Sequence, residues 1–215
     1  RDNQAFHGGG LYSWDTDSIM IHNSLFTGNY ASEHGGGMRI GGSGSFFKIS
    51  NSIVRYNSTG TYDGGGIELE GDHKKVIMHT NIESNNSPQG RYGSGIYANA
   101  NADSLLIMNS IIWTGYQSTG TGWSSIWLNG DKAVGYNNHI EVSSGSNFEF
   151  SRSGNNIFSD DNPFVTYELA DNSQAIGQGK SSIQFDGETI TPHGKDFFGN
   201  DRPRPAGTNP DMGAL

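Results

Sequence analysis

Side chains able to do chemistry recur at an almost fixed interval. Tyr12, Arg39, Glu68, Tyr97 and Trp127 follow one another at steps of 27, 29, 29 and 30 residues, and Trp14 and Glu70 stand two places further on in their own segments. Aromatic rings at the ends of such a row suit the faces of sugar rings, and Arg39, Glu68 and Glu70 in its middle suit hydroxyls or a uronate. Catalysis on the same row would be uronate elimination, which needs a base beside the sugar carboxylate and a cation to neutralise it. Arg39, Lys74 and Lys75 are the candidate bases, with His73 and His79 nearby, and Glu68, Glu70 and Asp72 are the oxygen donors that a Ca2+ ion would use. These residues also have a plain reading: Arg39 pairs with Glu68 one repeat away on a solvated face, and Gly71 to Lys75 form a polar turn. Glu68 and Glu70 would stand about 7 Å apart along one strand face, yet nothing in the sequence separates them into an acid and a base.

Other groupings carry less. His7 and His34 occupy the same place in consecutive repeats, with Asp63 in the third, a column that can bind metal or merely edge a turn. Asp160, Asp161, Asn162, Asp201 and Asp211 offer oxygen to calcium but are also ordinary turn residues. Motifs for a Ser/His/Asp hydrolase, a phosphate-binding glycine loop, an HExxH zinc site or a calcium-binding nonapeptide are absent from the sequence.

Something must hold this row in line, and the repeat supplies it. Aligning on Asn23, Asn51, Thr80, Asn109 and Asn138 gives steps of 28, 29, 29 and 29, and Leu11, Met38, Ile67, Ile96 and Ile126 step by 27, 29, 29 and 30. Periods of this size mark solenoids, propellers or arrays. Within each copy, short runs such as Met38-Arg39-Ile40 and Ile67-Glu68-Leu69 alternate with period two, as strands do, and no window shows helical periodicity. The expected fold is therefore all-β: a right-handed, single-stranded parallel β-helix of about five coils of roughly 29 residues, each strand pairing with its copy one turn on.

Three inward columns are expected: Leu11, Met38, Ile67, Ile96, Ile126; then Ile21, Ile49, Met78, Ile107, Tyr136; then Leu25, Ile53, Ile82, Ile111, Ile140. Like stacked on like buries a core that no single turn could bury alone. Asn23, Asn51, Thr80, Asn109 and Asn138 read as an internal amide ladder at a bend.

Composition sets bounds on the rest. The 215 residues carry a formal charge of -9 with no basic run, which argues against nucleic acid. There is no cysteine, hence no disulfide framework, and no apolar run approaches a membrane span. The 32 glycines suit thin coils joined by turns. Because the chain opens at Arg1 and reaches a full repeat by His7, a further coil or cap is expected before it.

After about Gly154 the repeat fades, and five of the six prolines lie beyond it. Here Glu168-Leu169-Ala170, then Ser173-Gln174-Ala175-Ile176-Gly177-Gln178-Gly179, Asp196, Gly199-Asn200-Asp201-Arg202-Pro203 and Pro210-Asp211-Met212-Gly213-Ala214 follow in order. This stretch resembles the closing segment of bacterial right-handed parallel β-helix proteins of the choice-of-anchor Q type, with Gln174 where that pattern has Pro and Gly177-Gln178 where it has Asp-Ala. The resemblance implies coils over 1–154, a closing coil or cap of the same domain over 155–215, and a secreted or surface-exposed bacterial protein with further domains on the same polypeptide. The expected function is non-catalytic glycan or cell-surface binding, or an adhesin-like structural segment. The alternative is a polysaccharide lyase acting on a uronate-containing glycan.

Overall fold

The computed structural model of the chain describes residues 1–43, 46–71, 73–88, 90–99, 105–115, 124–128, 133–141, 149–165, 168–203 and 207–215. Among them there is no helix, and the chain is a parallel β-helix. One strand per coil builds a five-stranded front sheet from Leu11–Trp14, Met38–Gly41, Ile67–Glu70, Ile96–Asn99 and Ile126–Leu128. A ten-stranded back sheet holds the longer runs, among them Phe46–Arg55 and Lys74–Glu83, and a short third sheet joins Gln4–His7, Tyr30–His34 and Ser58–Thr59. All pairs in these three sheets are parallel. The stack runs on to Ile157–Phe158, four residues past the boundary expected at Gly154.

The front sheet has the expected register. Leu11, Met38, Ile67, Ile96 and Ile126 are partners in turn, and the last four are fully buried. Before the first three of these strands glycine lets the coils touch closely: a Cβ on Gly36 would lie 2.4 Å from the Gly65 carbonyl oxygen and 2.5 Å from that of Ser58, and in the later coils Ser94 and Ser125 take the corresponding places. At Gly36 no other residue fits so close an approach of backbone to backbone.

On the back sheet two expected columns slip by one residue. The inward column is Ile21, Ile49, Ile77, Ile107, Gly135, whereas Met78 pairs with Ser50 and Tyr136 with Met108, both on the outer face. The next inward column is Phe26, Val54, Ile82, Ile112 and Ile140, while Leu25, Ile53 and Ile111 point outward. The cause is a left-handed residue in the middle of every back run: Asn23, Asn51, His79, Asn109, Asn137 and Asn155 have φ between 43 and 55°. Asparagine tolerates this conformation better than most residues, and each such bend re-phases the residues after it. Thr80 and Asn138 belong to the column after the bend, where Thr80 is the register partner of Ser52, and the Ser110 backbone N–H donates to Asn138 at 2.9 Å.

One rung of the expected ladder forms, Asn51 donating to Asn23, and Asn138 donates instead to Asn156 at 3.0 Å; the buried ladder of the first coils is a different one. Asn3, Asn29, Asn57 and Asn85 stack coil over coil, and the last three are buried. Each side-chain oxygen of Asn29, Asn57 and Asn85 accepts from both the backbone N–H and the amide of the asparagine one coil before it, at 2.9 to 3.2 Å. The amides of Asn57 and Asn85 also donate to the carbonyls of Phe26 and Val54.

The closing segment straps the outside of the back sheet. Back-sheet strands such as Leu105–Met108 are buried on both faces, which calls for a second layer. The antiparallel hairpin Ile183–Phe185/Glu188–Ile190 supplies one part, placing Ile183, Phe185 and Ile190 on Val76, Met78, Leu106, Met108 and Val134. Phe164, Ala175 and Met212 cover Ile111. Backbone stitches run along the bend residues: Asn109 exchanges hydrogen bonds with both backbone groups of Lys180 at 2.7 Å, Asn137 donates to Gln178, and His79 Nδ1–H donates to the Gly213 carbonyl at 3.1 Å.

Candidate functional site

The expected outward row stands on the front sheet. Tyr12, Arg39, Glu68, Tyr97 and Trp127 are register partners in sequence. At strand spacings of about 4.8 Å, this row is about 19 Å long. Alternation along each strand turns these side chains away from the core and places Trp14 beside Tyr12 on the same face.

At one end the two rings of Tyr12 and Trp14 lie nearly parallel, 6.3 Å apart at 17°, and they are 49% and 39% exposed. The Trp14 ring lies against Gly41, where a Cβ would come within 2.4 Å of it, and the Arg39 guanidinium sits 5.2 Å from its centroid. At the other end Trp127 stacks on Tyr92 at 3.7 Å. Tyr97 is half-buried between Glu68 and Trp127 in the register.

Between the aromatic ends lies a hydrogen-bonded polar chain. His34 Nδ1 is 3.0 Å from a Glu68 carboxyl oxygen, Glu68 bonds to Glu70, and Arg39 donates to Glu70 at 2.8 Å. The Arg39 Nε is 3.6 Å from Glu68. The expected Arg39–Glu68 pair therefore exists, but the shorter contact is to Glu70. Glu68 is 1% exposed, and burial, reinforced by the bond to Glu70, raises its carboxyl to about 9. Burial would raise Glu70 as well, but the bonds from Arg39 and Glu68 outweigh it and hold Glu70 below the ordinary carboxylate range. Burial, with Arg39 next, lowers His34 to about 4. At neutral pH the His34–Glu68 contact is thus a hydrogen bond between neutral groups, with Glu68 passing its proton toward the Glu70 carboxylate.

A pH dependence follows from Glu68. A carboxyl raised from 4.5 to about 9 adds stability that is complete below pH 4.5 and disappears as pH climbs through 9. His34, lowered from 6.5 to about 4, acts in the opposite direction only below 6.5. Above pH 6.5 the melting temperature of the protein should therefore fall with rising pH, and Glu68→Gln, neutral throughout, should flatten that fall. Parallel melting curves for the two proteins between pH 6.5 and 9 would refute the assignment.

The other expected residues do not converge here. Lys75 is fully buried and points into the coil, where its ammonium donates to the carbonyls of Gly71 and His73. Lys74 reaches the closing hairpin, pairing with Glu188 at 2.9 Å and Asp186 at 3.7 Å. Neither lysine joins Arg39, so the three candidate bases stand at three separate places. His73 is buried, and His79 is a bend residue bound to Asn109 and Gly213. Asp72 lies outside the described residues; among those described, no three His, Asp or Glu side chains are placed to hold a metal ion. Asp201 pairs with Lys195, and Asp211 accepts from the Gly177 N–H.

His7, His34 and Asp63 do share one column, as expected, with the two imidazoles 5.5 Å apart. Asp63, however, accepts from the Tyr92 N–H at 2.7 Å and serves the turn. Tyr62 and Tyr92 join the site without having been expected: Tyr62 stacks on His34 at 4.4 Å, and Arg91 covers Tyr62 at 4.8 Å. Tyr92 had a signal, since extending the His7, His34, Asp63 column by one coil reaches it. Nothing among known protein families, curated proteins or solved structures matches the chain.

Proposed function

We propose that this β-helix is a non-catalytic carbohydrate-binding module of a secreted or cell-surface protein, holding an extended glycan along the front sheet. The observation that carries the reading is the exposed, nearly parallel Tyr12–Trp14 pair with Arg39, itself paired to Glu70, beside the Trp14 ring. Aromatic platforms bind sugar faces, and a charged hydrogen-bonding pair next to them orients hydroxyls. A flat row about 19 Å long suits several consecutive sugar units better than a single ring. Export rests on the closing stretch and its resemblance to exported β-helix proteins. Uronate elimination has less support, because Arg39 is engaged by Glu70 and both lysines lie elsewhere.

Affinity electrophoresis through gels containing neutral glycans or polyuronates tests this. At least one polymer should retard the protein, in chelator as well as in calcium, and no unsaturated product should form. The double variant Tyr12→Ala/Trp14→Ala should lose about tenfold in affinity, from two rings at about 0.5–1.5 kcal/mol each. Equal retardation of the variant, or no retardation by any polymer, would reject the reading.

A further inference from the structure

Arg39 is the one cation in the row Tyr12, Trp14, Arg39, Glu68, Glu70, Tyr97 and Trp127. Its side chain is 12% exposed, its guanidinium donates to Glu70 at 2.8 Å, and its Nε lies 3.6 Å from Glu68. Two carboxyl groups bonded to each other therefore share a single guanidinium. Arginine is the side chain best shaped to grip a sugar carboxylate, through two parallel N–H donors. To reach Arg39, such a carboxylate has to displace Glu70 or settle beside it. Either way two like charges meet at one guanidinium, which is strongly disfavoured across an interface.

We propose that Glu70 makes the front sheet selective for neutral glycans, by holding the one guanidinium that a uronate carboxylate would need. The proposal rests on glycan binding by this face and names the class of glycan that it takes. Its charge balance does not depend on the Glu68 proton. With Glu68 protonated, Arg39 and Glu70 cancel; with Glu68 ionised, the cluster is negative. The neighbours do not restore a positive charge, since His7 lies 3.8 Å from Glu33, and Arg91 covers the Tyr62 ring with Asp63 within reach of its field. The net charge of -9 on the whole chain disfavours a polyanion further. Sugar hydroxyls, by contrast, need not break the Arg39–Glu70 pair. A hydroxyl both donates and accepts, and the Glu70 carboxylate, 23% exposed, keeps lone pairs beyond those that Arg39 and Glu68 use.

The test uses the whole chain and two polymers that differ only in charge: the neutral glycan that retards the protein, and the same glycan with its primary hydroxyls oxidised to carboxylates. The protein should bind the oxidised polymer at least roughly tenfold more weakly, and added salt should narrow that gap. Glu70→Gln keeps the size of the side chain and removes its charge, and Glu68→Gln/Glu70→Gln leaves Arg39 with no countercharge in the row. The ratio of the two affinities should move toward the oxidised polymer several-fold in the single variant and roughly tenfold or more in the double variant. A fold defect would weaken both polymers together and leave that ratio in place. Equal or tighter binding of the oxidised polymer, or of a polyuronate, by the unaltered protein would overturn the selectivity while glycan binding stood. The unaltered ratio in both variants would show that Glu70 does not set it. Failure of every polymer to retard the protein would remove glycan binding and this inference together.

Discussion

Replacing Phe185 by alanine should cost the protein about 3–5 kcal/mol. Phe185 is 1% exposed although it sits in a three-residue strand of a small hairpin outside the coils. Its ring belongs to the cluster that covers Val76, Met78, Leu106, Met108 and Val134, and Lys74 lies over it at 5.5 Å while pairing with Glu188 of the same hairpin. Truncation opens a cavity that the rigid back sheet cannot collapse to fill, so both the transfer loss and the cavity loss are felt. Those sheet residues would then face water across several coils. Guanidinium unfolding of the two proteins should show a lower midpoint for the variant. A shift within the roughly 0.5 kcal/mol typical of surface changes would mean that the closing hairpin does not brace the coils.

Asn57→Ala should be comparably severe, although it removes no apolar surface. The Asn57 oxygen accepts from the Asn29 backbone N–H and amide at 3.0 and 2.9 Å, and its amide donates to the Phe26 carbonyl at 3.0 Å and to Asn85 at 2.9 Å. Alanine leaves at least the Asn29 N–H and the Phe26 carbonyl without these partners in the interior. At about 1–3 kcal/mol for each orphaned group, the expected loss is at least about 2 kcal/mol. Thermal unfolding compared with exposed Asn172→Ala, expected to be nearly silent, isolates the effect of the ladder. Equal melting temperatures for the two variants would show that the inner amides contribute little.

The sequence makes the front sheet legible and the back sheet only partly so, for a physical reason. Each front strand is a plain extended run, so spacing alone aligns Tyr12, Arg39, Glu68, Tyr97 and Trp127. Each back run passes through a left-handed residue that flips the phase of everything after it. In the third coil that residue is His79, not an asparagine, so alignment on asparagine selects Thr80 and displaces Met78 from its outer position. The inner ladder Asn29, Asn57, Asn85 keeps a strict 28-residue spacing, yet it competes with a second asparagine series of almost the same period. The proton arrangement of Glu68 and Glu70 cannot be read from spacing, because it arises from how deeply Glu68 lies beside His34 and which carboxyl Arg39 reaches.

The most direct test of glycan binding on the front sheet is to follow the indole N–H signals while titrating the protein with the polymer that retards it. Trp14 and Trp127 stand at the two ends of the row, and Trp113 lies on the back sheet. Binding along the front predicts that the Trp14 and Trp127 signals move together and saturate at one concentration while Trp113 stays in place. Movement of Trp113 alone, or no movement of Trp14 at concentrations that retard the protein, would contradict it.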